Sequence, residues 1–303
     1  CLMITYIKRK ELNVKKYDAC IENSLQSNIY GFSWYLDIVA DNWDVLVLDD
    51  YAAVMPIPWR KKYFIKYVYQ PLWMLELGVY SYEKIDENDF LTPLFNEFKF
   101  NELKMKKNYL LKLAEDVLIE KNRQVISLKT DYNSIYNAYN RNRKRELVKA
   151  IKNNLQEKWD NKSVNLITLF KENVGKRTPE IKDVDYLKLL DLINTCIRKK
   201  RGEVLSIYDK EETLVSAAFF IKYKNKVTEI VCSSDFKNRK NGANTFMNDR
   251  AIFKYHSKFK VFDFGGSSMP KIASYYRSFG AETIIYNQLK ANNLPLIYKL
   301  FKR

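Results

Sequence analysis

Residues Val227 to Glu282 constrain the fold more than any other stretch of this chain. They read VTEIVCSSD, FKNRKNGANTFMNDRAIFKYHSKF, KVFDFGGSS and MPKIASYYRSFGAE. In order these are an apolar strand, a short basic loop running into an amphipathic helix, a second apolar strand closed by two glycines, and a helix ending in Phe-Gly-Ala. A strand that passes a Gly-containing loop to a helix N-terminus builds an anion site, because unpaired backbone N–H groups and the positive end of the helix dipole converge there.

The chain has 303 residues, enough for two ordinary domains or one large one, each with its own core. No apolar run approaches the roughly eighteen residues of a membrane span, Leu214 to Ile221 being among the longest. No secretory signal pattern is visible, a natural start is expected at Met3, and the expected location is cytoplasmic. Cys1, Cys20, Cys196 and Cys232 form no C-x-x-C pair, and His256 is the single histidine. Zinc-ligand spacings are therefore excluded, no metal is expected, and a Ser-His-Asp or Cys-His mechanism would need His256 itself. With no Gly-x-Ser-x-Gly elbow in the chain, His256 reads as structural or surface.

The net charge of +16 suits nucleic acid, anionic lipid headgroups or a phosphate-rich cofactor. A chain rich in Lys, Asn, Ile, Tyr and Phe also arises from AT-rich codon usage, so local clusters carry more weight than the total. Between Lys121 and Lys162 eleven Lys or Arg face only Asp131, Glu146, Glu157 and Asp160. Arg141, Arg145 and Lys149 repeat at i,i+4, where like charges repel unless an anion or solvent intervenes. Either a solvated face or an anion-binding face satisfies that pattern.

Hydrophobic periodicity predicts two helices within residues 15–42, the second capped at Ser33. A three-stranded meander follows over 43–48, 52–59 and 63–69, with turns at Asp49-Asp50-Tyr51 and Arg60-Lys61-Lys62. Pro56 and Pro58 assign part of the middle run to an edge or an irregular segment. A helix is expected over 87–99, a short strand over Val125 to Leu128, and one long basic helix from a cap at Asp131 to about Leu155. A further helix over 183–200, closed by Gly202, leads into a second meander over 204–208, 214–223 and 227–234. The helix-then-meander order occurs twice, so the chain divides into halves, 1–130 and 131–303, with the basic helix at the junction.

These residues resemble the GNAT acyltransferases, and the tandem arrangement is similar to the FemAB-like, mostly bacterial branch. Arg239-Lys240-Asn241-Gly242-Ala243-Asn244 resembles the pyrophosphate loop Q/R-x-x-G-x-G/A, with Asn244 where Gly or Ala is usual. Ala273-Ser274-Tyr275-Tyr276-Arg277-Ser278-Phe279-Gly280 resembles the A-x-x-Y-x-x-x-G helix, and Phe262-Asp263-Phe264-Gly265-Gly266-Ser267 the FemAB-like DFGGS signature. The resemblance implies two GNAT-like mixed-sheet subdomains in tandem, an α/β (α+β) fold, with the first half on the acceptor side and the second on the acyl-donor side.

It implies an enzyme that transfers an acyl group from acyl-CoA to an amine or hydroxyl, with Arg239 to Asn244 holding the phosphates. Amides near Cys232 to Ser234 would position the carbonyl and Tyr276 would protonate the leaving thiolate. The FemAB-like branch proper implies an aminoacyl-tRNA donor and a peptidoglycan precursor as acceptor, with the basic residues following the RNA backbone. A non-catalytic GNAT-like binding module is the third reading, which Asn244 permits. For the base, Asp263 and Glu229 both interrupt apolar strands, where burial raises a carboxyl pKa toward the useful range. Asp263 is favoured because it lies at the carboxyl end of a strand beside Gly265 and Gly266. Tyr276 is equally readable as a core aromatic, since Ile272, Tyr275, Tyr276 and Phe279 share helical spacing.

Overall fold

The computed structural model describes residues 3–106, 112–113, 117–237, 239–266 and 269–294, excepting the side chain of Arg239. It divides into a unit of residues 1–121 with 285–303 and a unit of residues 122–284. The expected halves, 1–130 and 131–303, differ from this division mainly at the C-terminal strand.

In the first unit strand β1 (Ile4–Lys8) precedes helices α1 (Val14–Asn23) and α2 (Ser33–Val39). Asn13 caps α1 by accepting from the Lys16 amide, and Tyr17, Cys20 and Ile21 form its buried stripe. At the start of α2, Asp18 of α1 accepts from both the amide and the hydroxyl of Ser33, at 2.8 and 2.7 Å. Ser33 is thus an anchor between the two helices, and the α2 cap position falls on Phe32.

Strands β2 (Asn42–Leu48) and β3 (Ala53–Lys62) pair antiparallel along their length. β4 (Ile65–Val68) joins β3 from Trp59 to Lys62, and β5 (Tyr80–Ser81) joins it at Ala53 and Val54. Pro56 falls between those two partners, paired on the β2 side alone, while the Pro58 carbonyl also accepts from the Tyr69 amide at 3.2 Å just beyond β4. A residue without an N–H is tolerated where one side of the ladder is open. The β3–β4 turn is not at Arg60-Lys61-Lys62 as expected. Those residues complete β3, and the chain reverses at Tyr63-Phe64, whose φ angles are +47° and +64°. Helix α3 (Leu91–Glu97) and strand β6 (Phe100–Lys106) follow, with β6 meeting β4 in parallel at Asn101 and Val68.

Asp44 organises the polar side of this unit. It is buried, and its carboxylate accepts from the Tyr6 hydroxyl at 2.5 Å, the Arg9 amide at 2.8 Å and the Trp59 indole at 2.7 Å. Burial and the adjacent carboxylate raise the Tyr6 phenol far above its ordinary range.

The second unit begins within β7 (Leu118–Ser127), longer than the strand expected at Val125. Two helices replace the single basic helix: α4 (Tyr132–Asn137), capped by Asp131, and α5 (Arg141–Lys152), capped by Asn140. The break has a cause outside the segment. The Asn140 amide donates to the Ser278 carbonyl at 2.9 Å while its side chain accepts from the Arg143 amide at 3.0 Å, so Asn140 ends one helix and starts the next.

Strand β8 (Gln156–Lys158) and helices α6 (Ser163–Glu172) and α7 (Asp183–Arg198) come next. α7 ends through Lys200, at φ +57°, rather than through Gly202, which opens β9 (Gly202–Tyr208). β10 (Leu214–Tyr223) and β11 (Lys226–Ser234) complete the second meander. Helix α8 (Ala243–Tyr255), strand β12 (Val261–Asp263) and helix α9 (Pro270–Arg277) finish the unit. Its strand order is β7-β12-β11-β10-β9-β8, with β11 and β12 parallel and the other pairs antiparallel. The core between sheet and helices holds Phe220, Met247, Tyr255, Phe262 and Phe279.

The last strand, β13 (Glu282–Asn292), pairs with β6 from Tyr286 to Asn292, which places the C-terminal strand in the first unit. The fold is therefore mixed α/β. Among the described residues no helix is long and apolar enough to cross a membrane.

Removing the Asp44 carboxylate would leave the Tyr6 and Trp59 donors without their partner. Both donors are half-buried, so each loses up to the roughly 1 kcal/mol of an ordinary hydrogen bond, and Asp44→Ala is expected to lower the Tm by a few degrees in a thermal melt. Asp44→Asn, which keeps an acceptor, is expected to lose less.

Candidate functional site

The site grows from the point where β11 and β12 separate. They pair only from Lys226↔Val261 to Thr228↔Asp263; β12 then stops while β11 continues to Ser234. Beyond Asp263 the chain turns at Gly265, whose φ is +75° and whose Cα lies so close to the Glu229 carbonyl that an added Cβ would sit 2.3 Å from that oxygen. On its other edge β11 carries a bulge. Phe219 faces Val231 and Phe220 faces Glu229, so Ile230 is the extra residue. A bulge bends its strand and re-aims the side chains beside it.

Glu229, next to the bulge, is 3% exposed. The Tyr276 hydroxyl of α9 donates to its Oε1 at 3.3 Å, and Phe264 stacks on the Tyr276 ring with centroids 4.4 Å apart. Glu229 Oε2 is buried without a well-formed hydrogen bond, and the Cys232 thiol is the polar group next to the carboxyl besides Tyr276. Burial pushes the carboxyl from its ordinary 4.5 up to about 7, against the smaller lowering effects of Cys232 and Tyr276. Burial likewise raises the Tyr276 phenol, with Glu229 next in effect, and the Cys232 thiol, again with Glu229 adding to it. The arrangement is a carboxyl that titrates near neutrality beside two groups that keep their protons.

Asp263 has different surroundings. It is fully buried; Oδ2 lies 3.4 Å from Arg123 Nε and 3.5 Å from Lys226 Nζ, and Oδ1 accepts from the Gly265 amide at 3.1 Å. Its carboxylate thus faces two cations, where Glu229 faces a phenol and a thiol. Of the two acids expected from the sequence, the structure brings Glu229 to Tyr276 and gives Asp263 a part in fixing the end of β12.

The loop expected to hold phosphates leads into α8. Arg239–Asn241 form a 3₁₀ turn. Lys240 is exposed, Asn241 accepts from the Ala243 amide at 2.9 Å, Ala243 is buried, and the Asn244 carbonyl accepts from the Asn248 side chain. Gly242 is left-handed at φ +84°, and its close neighbour is α5: an added Cβ would lie 2.3 Å from the Glu146 carbonyl oxygen.

Thr245, in the first turn of α8, donates to the Glu146 carboxylate and accepts from Arg143 Nη1 at 2.6 Å. Arg143 also pairs with Glu146 at 3.1 Å and lies over the Tyr275 ring at 4.5 Å. A carboxylate belongs at a helix N-terminus for the reason a phosphate does, since both answer the positive end of the dipole. In this chain Glu146 supplies that charge.

Arg143, Glu146, Thr245, Tyr275 and Cys232 were not singled out from the sequence as site side chains. Arg143 and Glu146 lay within the basic helix, but nothing local marks which of its residues turn inward. The outward side of α5 exposes Arg141, Arg145, Lys149 and Lys152. Tyr136, Arg141, Lys144, Arg145 and Val148 line a cavity of about 420 Å³ there. Among the described residues no group of His, Cys, Asp and Glu is placed to hold a metal ion. His256 Nδ1 lies 2.6 Å from the Phe253 carbonyl within its own helix turn.

No protein-family model matches the chain, and no curated protein matches it in sequence. Solved structures do match in fold. FemX superposes with a TM-score of 0.64 at 10% identity, over 96% of this chain and 99% of FemX. A tandem GNAT protein from the clavulanic acid biosynthesis pathway gives 0.52 at 8% identity, over 97% and 99%. The L-PGS from Bacillus licheniformis gives 0.52 at 11%, over 95% and 94%. At these identities the likeness establishes a FemAB-like tandem GNAT fold.

Two variants separate the carboxyls. A carboxyl whose folded pKa is raised contributes stability below its unfolded pKa and loses it as pH rises through the folded value. Glu229 therefore makes the protein less stable between about pH 4.5 and 7, and Glu229→Gln is expected to remove that fall from melts taken across the range. Asp263→Asn removes the carboxylate that faces Arg123 and Lys226. Loss of one partner from a buried pair costs about 3–5 kcal/mol, so the Tm is expected to drop throughout. Gly242→Ala is expected to cost at least about 1–3 kcal/mol through its φ alone, read in the same melts.

Proposed function

We propose that this chain is an acyltransferase that moves an acyl group from an activated carrier onto an amine or hydroxyl, with Glu229 as the base and Tyr276 as the acid. The observation that carries this reading is Glu229, a buried carboxyl near half ionisation at neutral pH with Tyr276 on one oxygen and the other without a well-formed hydrogen bond. A general base works best with its pKa near the operating pH. In the forward step Glu229 Oε2 takes a proton from the attacking amine or hydroxyl as the new bond to the acyl carbon forms. Collapse of the tetrahedral adduct breaks the bond to the carrier, and the leaving oxygen or sulfur takes the Tyr276 proton. The proton on Glu229 then passes to the Tyr276 phenolate once the carboxyl turns it toward the phenol, which restores both groups. Backbone amides of β11 beyond its separation from β12 are the candidates for polarising the carbonyl.

Two donors were expected, and the aminoacyl ester of a tRNA fits better than acyl-CoA. The Glu146 carboxylate and carbonyl lie against the first turn of α8, where a diphosphate would need to sit. Two anions at one helix terminus repel each other. The exposed Arg141, Arg145, Lys149 and Lys152 of α5 and the cavity bordered by Tyr136 suit an RNA backbone with a base on the ring. A small-molecule or cell-envelope precursor is the acceptor this reading implies, and charged tRNA implies work in the cytoplasm.

The test is retention of charged tRNA at low salt, followed by transfer of its amino acid to a peptidoglycan precursor. Arg141→Ala with Arg145→Ala is expected to reduce the slope of log affinity against log salt by about 1.4–1.8. Glu229→Gln is expected to leave tRNA affinity unchanged and lower the transfer rate about 10²–10⁴-fold. The wild-type kcat/KM is expected to rise with pH through about 7. If acetyl-CoA at millimolar concentration raises the Tm and Arg239→Ala abolishes the shift, the donor is acyl-CoA. Absence of both responses leaves a non-catalytic binding module.

A further inference from the structure

The β3–β4 hairpin of the first unit ends in an arrangement that local propensity does not explain. Its two turn residues are Tyr63 and Phe64, both left-handed at φ +47° and +64°. A two-residue hairpin turn of this hand strongly favours Asn-Gly, because a side chain at positive φ crowds the following carbonyl. Two bulky aromatics therefore stand where the backbone least favours them. No burial offsets that cost: Phe64 is 93% exposed and Tyr63 65%.

The surrounding charge has a single sign. From Tyr51 to Leu75 the sequence holds no Asp or Glu, against Arg60, Lys61, Lys62 and Lys66. Arg60 is paired with Asp41 at 2.5 Å, and Lys66 lies over the Trp59 ring at 4.5 Å. Lys61 and Lys62 are exposed and flank the tip, with Nζ atoms 5.5 Å from the Phe64 ring and 5.2 Å from the Tyr63 ring. The tip thus combines aromatic rings at its end with ammonium groups one step behind them.

We propose that this hairpin tip docks the protein on an anionic phospholipid surface, with Phe64 and Tyr63 entering the headgroup region and Lys61 and Lys62 meeting the lipid phosphates. Aromatic side chains collect at the membrane–water boundary because a flat ring with an apolar face fits its polarity gradient. Lysines beside them gain from the negative surface potential, about fivefold in affinity each. A flat protein partner would require a complementary hollow for the ring. A fluid bilayer accepts a protruding Phe without one, and the uniform charge selects anionic lipid.

The test is flotation of the full chain with vesicles of phosphatidylcholine alone or containing one-third phosphatidylglycerol. Binding is expected on the anionic vesicles at low salt, with little on the neutral ones. The double variant Tyr63→Asn/Phe64→Gly supplies the residues this turn prefers and keeps every charge. It is expected to melt no lower than wild type and to bind at least about tenfold more weakly, as loss of a buried phenyl ring implies. Lys61→Glu/Lys62→Glu is expected to abolish binding. In Phe64→Trp the new indole is expected to be quenched by brominated acyl chains in the anionic vesicles. Failure of the wild type to bind those vesicles overturns the proposal. So does equal binding by Tyr63→Asn/Phe64→Gly, which would mean that net charge alone attracts the protein, or an unquenched Phe64→Trp.

Discussion

A carboxyl kept from water where two parallel strands separate sets the terms for the second unit. Glu229 remains buried because Tyr276 approaches from α9, Gly265 lets the chain pass against its carbonyl, and the bulge at Ile230 turns β11. Each of these depends on the next: Phe264 stacks on Tyr276, and Asp263, clamped by Arg123 and Lys226, ends β12 where that stacking begins. The two acids divide the work by environment. One faces two cations; the other is desolvated beside a phenol and titrates near neutrality.

The first turn of α8 shows how one physical rule allows opposite uses. A helix N-terminus attracts negative charge, and whether a ligand or the protein supplies it depends on what else packs there. Here Glu146 does so from α5, with Arg143 bonded to both Glu146 and Thr245 and lying over Tyr275. The left-handed Gly242 that reads as a phosphate loop is needed in this chain for contact with the Glu146 carbonyl. That closeness of α5 leaves its basic side facing outward.

Much of the frame was legible in the sequence. The two meanders, α1, α7 and α8, and the cap at Asp131 follow from periodicity and from polar side chains that satisfy nearby amides. The misplaced features all have distant causes. The basic helix breaks because Asn140 is held by Ser278, 138 positions further along by number. The first hairpin turns at Tyr63-Phe64 because strand pairing claims the polar Arg60-Lys61-Lys62 run that reads as a loop. The short strands β1, β5 and β8 and the late strand β13 have too little pattern of their own, and pairing defines them.

By itself the sequence determined the alternation of strands and helices, the basic face of α5, and the short list from which Glu229, Asp263 and Tyr276 came. Those are local properties: side-chain period, charge spacing and turn chemistry act within a few residues. Only the tertiary structure decided which acid is paired and which desolvated, and whether the helix terminus faces a carboxylate of the chain's own. A pKa and an ion pair depend on what lies within a few ångströms in space. Arg123 beside Asp263, or Glu146 beside Thr245, arrives there from about a hundred residues away or more along the chain.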